Sequence, residues 1–295
     1  ACANGTNKDI VTMKGDTITV SDFYDEIKTN QGAQQVLFQM TINKVFEKEY
    51  GSKVSDKEVD KELAKQKKQL GNQFDAYLAQ QGLTEETAKK QIRSNMLLEY
   101  AVSQAAKKDI KESDYKTAFE SYTPEVTAQI IKLDSEDKAK EVLEAAKAEG
   151  ADFAKIAKDN STDTATKDKG GEVKFDSGTA DIPSQVKEAA FKLDENGISD
   201  VITVSAGQNY SASYYIVKLN KKTEKGSDWK KYEKRLKEII VDGRKQDTNF
   251  IRSVIAKAMT NANIKVKDDA FKSTFNQYLQ NIGVETSDSK SSSKK

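Results

Sequence analysis

The apolar residues of this 295-residue chain change their spacing twice. Up to Pro124 they recur at intervals of three and four residues, as in amphipathic helices, and they do so again after Ser227. Between these segments, Val126–Leu133 and Tyr214–Leu219 are typical of strands, with short helical runs separating them. This order predicts an α+β domain inserted into a helical chain.

Local signals predict the boundaries of several elements. Apolar residues on both sides of Lys14-Gly15-Asp16 indicate two short strands over residues 10–20, and Ser21 is predicted to cap the next helix. Ser55-Asp56-Lys57-Glu58 is a capping box, and Thr84 opens a long helix. A strand is predicted over 264–266. Apolar residues predicted to face a helical core include Val36, Leu37, Met40, Val45, Phe46, Val59, Leu63, Ile92 and Leu97.

The helices after Ser227 are too few to bury their apolar faces among themselves. We therefore expect them to pack on the N-terminal helices, so that two distant segments form one helical domain. The predicted ranges are 1–8 for a spacer, 9–123 for the N-terminal helical segment, 124–222 for the α+β domain, 223–283 for the C-terminal helical segment and 284–295 for a disordered Ser/Lys-rich tail.

Composition excludes several classes of function. Lys and Arg total 48 against 47 Asp and Glu, and this balance argues against a nucleic-acid partner, because phosphate binding needs a clustered basic excess. The chain has no histidine and one cysteine, which excludes the usual zinc sites, a Ser-His-Asp or Cys-His catalytic unit and an internal disulfide. No metal or cofactor is expected. No apolar run approaches the ~20 residues that span a bilayer.

Four motifs in the middle of the chain occur in a recognisable order. They are the run Gly150–Asp163 (GADFAKIAKDNSTD), Gly170-Gly171-Glu172-Val173, Glu188–Leu193 (EAAFKL) and Asn196–Val201 (NGISDV). Together they resemble the parvulin family of peptidyl-prolyl isomerases. With its helical flanks, the chain from residue 2 to about 282 resembles the PrsA-type foldase lipoproteins, in particular the streptococcal branch known as proteinase maturation proteins. The resemblance implies a helical chaperone domain with an inserted parvulin-like domain.

The single cysteine, Cys2, lies between Ala1 and the polar run Ala3–Asn7. A small residue before a cysteine and a polar spacer after it resemble the processed end of a bacterial lipoprotein. The resemblance therefore implies a lipid anchor at Cys2 on the extracellular face of a Gram-positive membrane. The alternative is an incidental terminal cysteine.

The resemblance also implies positions for an isomerase site. Active parvulins have a histidine on the first strand and another on the last, where this chain has Gln129 and Tyr215. A polar position falls at Asp163 or Thr164, and the positions of a proline-binding Met and Phe fall near Asp181 and Val186. Because both histidines and the apolar pair are replaced, weak or lost isomerase activity is predicted, and whether the chain is an enzyme stays open. The full set is Gln129, Asp163, Thr164, Asp181, Val186 and Tyr215.

Three functions follow as alternatives. The favoured one is an extracellular foldase or chaperone for unfolded or nascent secreted polypeptides, with a weakened parvulin-type domain. The second is a fully active prolyl isomerase, and the third is a surface scaffold or adhesion protein. Fold alone does not decide among them. A homodimer is left open because no residue specifies one.

Overall fold

A computed structural model describes residues 7–206 and 211–279. The helices in this part of the chain are α1 (Val20–Ile27), α2 (Gln31–Tyr50), α3 (Asp56–Leu70), α4 (Phe74–Gln80), α5 (Glu85–Lys107), α6 (Glu112–Ser121), α7 (Glu136–Lys147), α8 (Phe153–Asn160), α9 (Ser184–Lys192), α10 (Glu233–Gln246), α11 (Thr248–Asn261) and α12 (Lys272–Leu279). The strands are β1 (Asp9–Met13), β2 (Asp16–Thr19), β3 (Val126–Leu133), β4 (Glu172–Phe175), β5 (Ile202–Ala206) and β6 (Ser211–Lys221). Cys2 and the predicted tail lie outside the described residues.

The strands form two antiparallel sheets. β1 and β2 make a hairpin around Gly15, as predicted, and Gly15 has φ +83°. The other four strands follow the order β4-β3-β6-β5, so the first and last long strands of the insert are central neighbours. Strands and segregated helices in one stretch of chain give the α+β class predicted from the sequence.

The chain divides into two compact units. The helical unit consists of Ala1–Ile110 with Ile240–Lys295, and the central unit is Lys111–Ile239. The division falls inside α10. The central unit is wider than the predicted range 124–222 on both sides, because it includes α6 and the short 3-10 helix Trp229–Tyr232.

One apolar core holds the two segments of the helical unit together. Phe46 of α2, Leu97 of α5 and Met259 of α11 are almost completely buried in the same cluster. Phe38 packs edge-on against Phe275 of α12, with ring centroids 5.4 Å apart. The prediction that the C-terminal helices pack on the N-terminal ones is confirmed, and burial of the shared apolar face is what stabilises this unit.

Three local predictions for this unit are wrong. Val36 and Met40 face solvent rather than the core, with 60% and 51% of their surface exposed. Thr19, not Ser21, caps α1, because its hydroxyl accepts from the Asp22 amide at 3.2 Å while the Asp22 carboxylate accepts from the Thr19 amide at 2.9 Å. Residues 264–266 form no strand. The capping box at Ser55 and the helix start at Thr84 are confirmed.

Candidate functional site

The central sheet has two faces, and alternation along β3 assigns its residues to them. Ala128 and Ile130 pack with α9 on one face, whereas Ile131 and Leu133 pack with α7 and α8 on the other. Gln129 lies between Ala128 and Ile130. It therefore shares the face of Ile131, away from α9.

Gln129 is half-buried and has a structural partner. Its Nε2 donates to the main-chain oxygen of Gly170 at 2.9 Å. Gly170 in turn lies against α8, since a Cβ at this position would be 2.7 Å from the Cβ of Ala154. The Gln129 amide therefore joins β3 to the Gly170-Gly171 turn that precedes β4.

Asp163 and Thr164 lie in the loop after α8. The Asp163 carboxylate accepts from the Thr166 hydroxyl at 2.8 Å and from the Ala165 amide at 3.3 Å, so it organises its own turn. Thr164 is exposed. Neither residue belongs to the apolar clusters that line the sheet.

Val186 and Tyr215 lie together on the α9 face. Val186 is completely buried and Tyr215 is 8% exposed, in one cluster with Phe175 and Val217. Asp181 is exposed just before α9. Because these apolar groups fill the face between the sheet and α9, that face is packed core rather than an open socket.

The six positions do not converge on one site. Gln129 lies on the α8 side of the sheet, and Tyr215 lies on the α9 side because it pairs with Lys132. The β3 residue that shares the cluster of Tyr215 is Ile130. Ile130 was not predicted because the family resemblance points to Gln129, whereas the two-residue alternation along β3 was the available signal. The catalytic roles of all six positions remain predictions.

A polar cluster around Asp176 was not foreseen from the sequence. Its carboxylate is 7% exposed and accepts from Nε and Nη2 of Arg235 at 2.6 and 2.9 Å. It also accepts from the Tyr122 hydroxyl at 2.9 Å and the Gly178 amide at 2.9 Å. Tyr122 precedes β3, and Arg235 lies in α10. One carboxylate thus ties both ends of the central unit to its middle, and their sequence separation hid the cluster.

The charges of this cluster shift its pKa values in opposite directions. Burial raises the pKa of Asp176, but the hydrogen bonds from Arg235 and Tyr122 outweigh burial, so its pKa lies below the ordinary value. Burial and the bond to Asp176 raise the pKa of the Tyr122 phenol well above its usual range. The carboxylate is ionised and the phenol neutral at pH 7, as a structural ion pair requires. An open cavity of about 440 Å³ adjoins the cluster and is also lined by Phe175 and Tyr232.

The helical unit exposes a set of large apolar side chains that includes Val36 and Met40, two residues predicted to face the core. All large apolar side chains that are exposed within residues 7–206 and 211–279 lie in this unit, on the hairpin, α1, α2 and α4. A concentration of exposed apolar side chains in one part of a protein indicates an interaction surface. We call this the apolar surface; its residues are Ile10, Val11, Met13, Ile18, Val20, Phe23, Tyr24, Val36, Met40 and Tyr77.

An open cleft of about 510 Å³ lies between α2 and α11 in the same unit. Val45 and Ala258 form apolar parts of its lining, and Lys44, Lys48 and Asn261 supply polar groups. This combination of apolar lining and polar rim suits a polypeptide side chain better than a metal or a charged cofactor.

Comparisons with known proteins agree with this architecture. Residues 121–221 match the family described as Rotamase: PPIC-type PPIASE domain. A foldase protein PrsA of Streptococcus sanguinis is 62% identical over 283 residues, which cover 96% of this chain and 84% of that protein. Another, from Streptococcus gordonii, is 59% identical over 291 residues, covering 99% of this chain and 92% of the relative.

Solved structures give the same result. The crystal structure of foldase protein PrsA from Streptococcus pneumoniae has a TM-score of 0.82 and 54% identity, covering 92% of this chain and 100% of that chain. The Lactococcus lactis foldase protein PrsA has a TM-score of 0.68 and 40% identity over 92% of this chain. Within residues 7–206 and 211–279, no helix combines the length and the apolarity needed to cross a membrane. The identities and coverage show that the chain belongs to the PrsA foldase family.

Proposed function

We propose that the protein assists the folding of secreted polypeptides by holding unfolded segments on the apolar surface of its helical unit. The observation that carries the proposal is the concentration of exposed apolar side chains in that unit. Unfolded chains expose apolar residues that associate with such a surface, because the association removes apolar area from water. The charged residues that make up 32% of the chain keep the complex in solution.

We propose also that prolyl isomerisation by the central unit is weak or lost. Rotation about an X-Pro bond meets a barrier of about 18–20 kcal/mol, and catalysis requires a groove that prefers the twisted amide to the planar one. Three residues at the implied positions already have structural roles, because Gln129 binds Gly170, Val186 fills the core and Tyr215 packs beside it. An apolar socket for a proline ring would have to be opened in this packed face.

The chaperone function is tested by suppression of aggregation of an unfolded secreted protein. Val36→Gln with Met40→Gln replaces two exposed apolar side chains one helical turn apart on α2, so the thermal midpoint should stay unchanged while protection falls several-fold. Gln35→Ser with Gln39→Ser is the matched control, because it changes two exposed polar neighbours on the same helix. Equal protection by both double variants would show that α2 does not hold clients.

The isomerase function is tested with a protease-coupled assay on a proline peptide, using the full chain. We expect a rate equal to, or only slightly above, that of the peptide alone. A large acceleration that Tyr215→Phe or Gln129→Ala abolishes would refute weak or lost activity and would assign those positions to catalysis.

We propose lipid attachment at Cys2 and residence on the extracellular face of the membrane. The proposal rests on the small and polar neighbours of Cys2 and on the resemblance to foldase lipoproteins. Mass spectrometry of the protein from its own cells should find a diacylglycerol adduct on Cys2, and Cys2→Ala should be released into the medium. Retention of that variant would point to another anchor. A homodimer stays an open alternative, which light scattering in solution tests.

A further inference from the structure

Five aromatic side chains of the central unit lie on two helical segments that contact each other, and we call this set the aromatic ladder. Tyr115 and Phe119 lie on α6, Tyr122 follows its last turn, and Trp229 and Tyr232 lie on the 3-10 helix Trp229–Tyr232. Tyr122 is buried, and the other four are half-buried, so their rings contact solvent as well as one another.

The rings contact one another in two groups, a pair and a group of three. Tyr115 stacks on Trp229 with centroids 5.0 Å apart, and Phe119 stacks on Tyr232 at 6.2 Å. Tyr122 meets Tyr232 edge to face at 5.3 Å. The buried end of the ladder reaches the open cavity beside Asp176, which Tyr122 and Tyr232 also line. The arrangement therefore combines partly exposed ring surfaces with an adjacent cavity.

Lysines surround the aromatic ladder. Lys225 Nζ lies 4.5 Å from the Phe119 centroid, Lys231 Nζ lies 5.5 Å from that of Tyr232, and Lys230 Nζ lies 6.0 Å from that of Trp229. The stretch from Lys221 to Lys234 contains six lysines against three acidic residues. In the part of the chain that the structure describes, no ion pair joins these lysines to a carboxylate; they are Lys221, Lys222, Lys225, Lys230, Lys231 and Lys234.

We propose that the aromatic ladder and its lysines bind extended, acidic, proline-containing segments of unfolded polypeptides. The unpaired lysines supply the charge that such carboxylates require, and flat apolar rings are the surface on which proline rings pack in grooves that recognise polyproline II segments. This inference rests on the proposed foldase function, because it names a class of client segment. It adds a site in the central unit that uses none of the predicted isomerase positions.

An extended segment suits this arrangement. A polyproline II segment repeats the same side every three residues, or about 9 Å. Prolines on that side can pack on the half-buried rings, while residues between them present carboxylates to the lysines. Since such a segment is already extended, it loses little conformational entropy on binding.

The test uses the fluorescence of Trp229, the only tryptophan in the chain, which stacks on Tyr115 in the ladder itself. The probe is a peptide that repeats Pro-Glu-Ala over about a dozen residues, and it contains no fluorophore of its own. We expect a saturable change in Trp229 emission when the probe is added to the full-length protein. Peptides that repeat Pro-Gln-Ala or Ala-Glu-Ala should bind about fivefold more weakly or worse, because each lacks one of the two recognised groups.

Charge reversal distinguishes binding at the ladder from non-specific attraction of the acidic peptide to exposed lysines elsewhere. Lys230→Glu with Lys231→Glu should weaken the peptide about fivefold or more, whereas Lys155→Glu with Lys158→Glu, exposed residues of α8 in the same unit, should change it less than about twofold. High salt should weaken the binding because the lysines are exposed. The Trp229→Phe variant keeps an aromatic ring at this position but loses the intrinsic fluorophore. Fluorescence anisotropy of a labelled probe, measured with this variant, checks that the peptide binds the protein independently of the Trp229 signal.

Three results would overturn the proposal. Equal affinity for the Pro-Gln-Ala and Pro-Glu-Ala peptides would show that the lysines do not recognise the carboxylates. Equal weakening by the two charge reversals would show that the net charge of the protein, not the ladder, determines the affinity. Tighter binding of a polyphosphate than of the peptide would make the surface a polyanion site instead. The α2 variants should titrate with the peptide as the parent protein does, because Trp229 lies in the other unit. The proposed chaperone function and the proposed peptide site can therefore fail independently of each other.

Discussion

Asp176→Asn is the most informative substitution in the central unit. The aspartate accepts two hydrogen bonds from Arg235 and one from Tyr122, and it is nearly inaccessible to solvent. Asparagine preserves the size of the side chain but removes its charge and turns one acceptor into a donor. The variant therefore leaves the Arg235 guanidinium without its buried counter-charge and forces a donor toward other donors.

The structure sets the expected cost. Breaking a fully buried ion pair by removing one partner costs about 3–5 kcal/mol. The Arg235 side chain keeps 31% exposure, so water recovers part of its hydration and the estimate falls to about 2–3 kcal/mol. For a urea slope of about 1–3 kcal/mol per molar, the midpoint of unfolding should fall by roughly 0.7–3 M.

Urea unfolding followed by Trp229 fluorescence measures this cost in the relevant unit, because Trp229 stacks on Tyr115 within the central unit. The pKa of Asp176 is lowered by folding, so its contribution is fully present above the unfolded value of about 3.9 and is lost as pH falls through the folded pKa. The difference between the parent protein and Asp176→Asn should therefore be large at pH 7 and shrink below about pH 4.

Glu238→Gln is the matched control, because Glu238 pairs with the same Arg235 at 3.0 Å but is 53% exposed. That variant should lose less than about 0.5 kcal/mol. If Asp176→Asn costs no more than Glu238→Gln, or if its cost is the same at pH 3 and pH 7, the network does not stabilise the unit as an ion pair and the reasoning fails.

Two further substitutions, one in each unit, test local contacts. Arg93→Met should destabilise the helical unit by about 2 kcal/mol in thermal unfolding followed by circular dichroism. The reason is that Arg93 binds Glu47 through two nitrogens and donates to two main-chain oxygens. Glu47→Gln alone should cost less than half as much; equal losses would show that the bonds to the main chain contribute nothing. Gly171→Ala should lower the free energy of unfolding of the central unit by more than about 3 kcal/mol, since φ is +82° and the new Cβ would lie 2.5 Å from the Ile130 oxygen. Gly15→Ala, with φ +83° and no neighbour within 4 Å, should cost about 1 kcal/mol in the same thermal unfolding measurement. Similar losses at the two sites would show that the backbone relaxes around Gly171.

The candidate site shows where sequence reasoning stopped. Gln129 and Tyr215 were both recognised as strand residues, but their strands' pairing register decides which face each occupies. Register is a tertiary property, and a shift of one residue exchanges the faces. Ile130 is the β3 residue in the cluster of Tyr215, and it was overlooked because an apolar residue in a strand attracts no attention as a site residue.

Exposure was harder to predict than secondary structure. The spacing that assigned Phe46 to the core is correct, and the same spacing wrongly assigned Val36 and Met40 to it. A helical repeat identifies an apolar stripe but not how much of the stripe a neighbour covers. α12 packs against the part of α2 that includes Phe38, and no element of the described chain covers Val36 and Met40 to the same extent.

The sequence by itself determined the order and type of the elements, the inserted α+β domain and the caps at Ser55 and Thr84, because short-range periodicity and local hydrogen bonds carry this information. Its motifs also determined the family resemblance. Only the tertiary structure decided that Gln129 and Tyr215 lie on opposite faces, that Asp176 joins Tyr122 to Arg235, and which apolar residues remain exposed. These facts depend on contacts between residues far apart in the chain, and packing, not local spacing, selects such contacts.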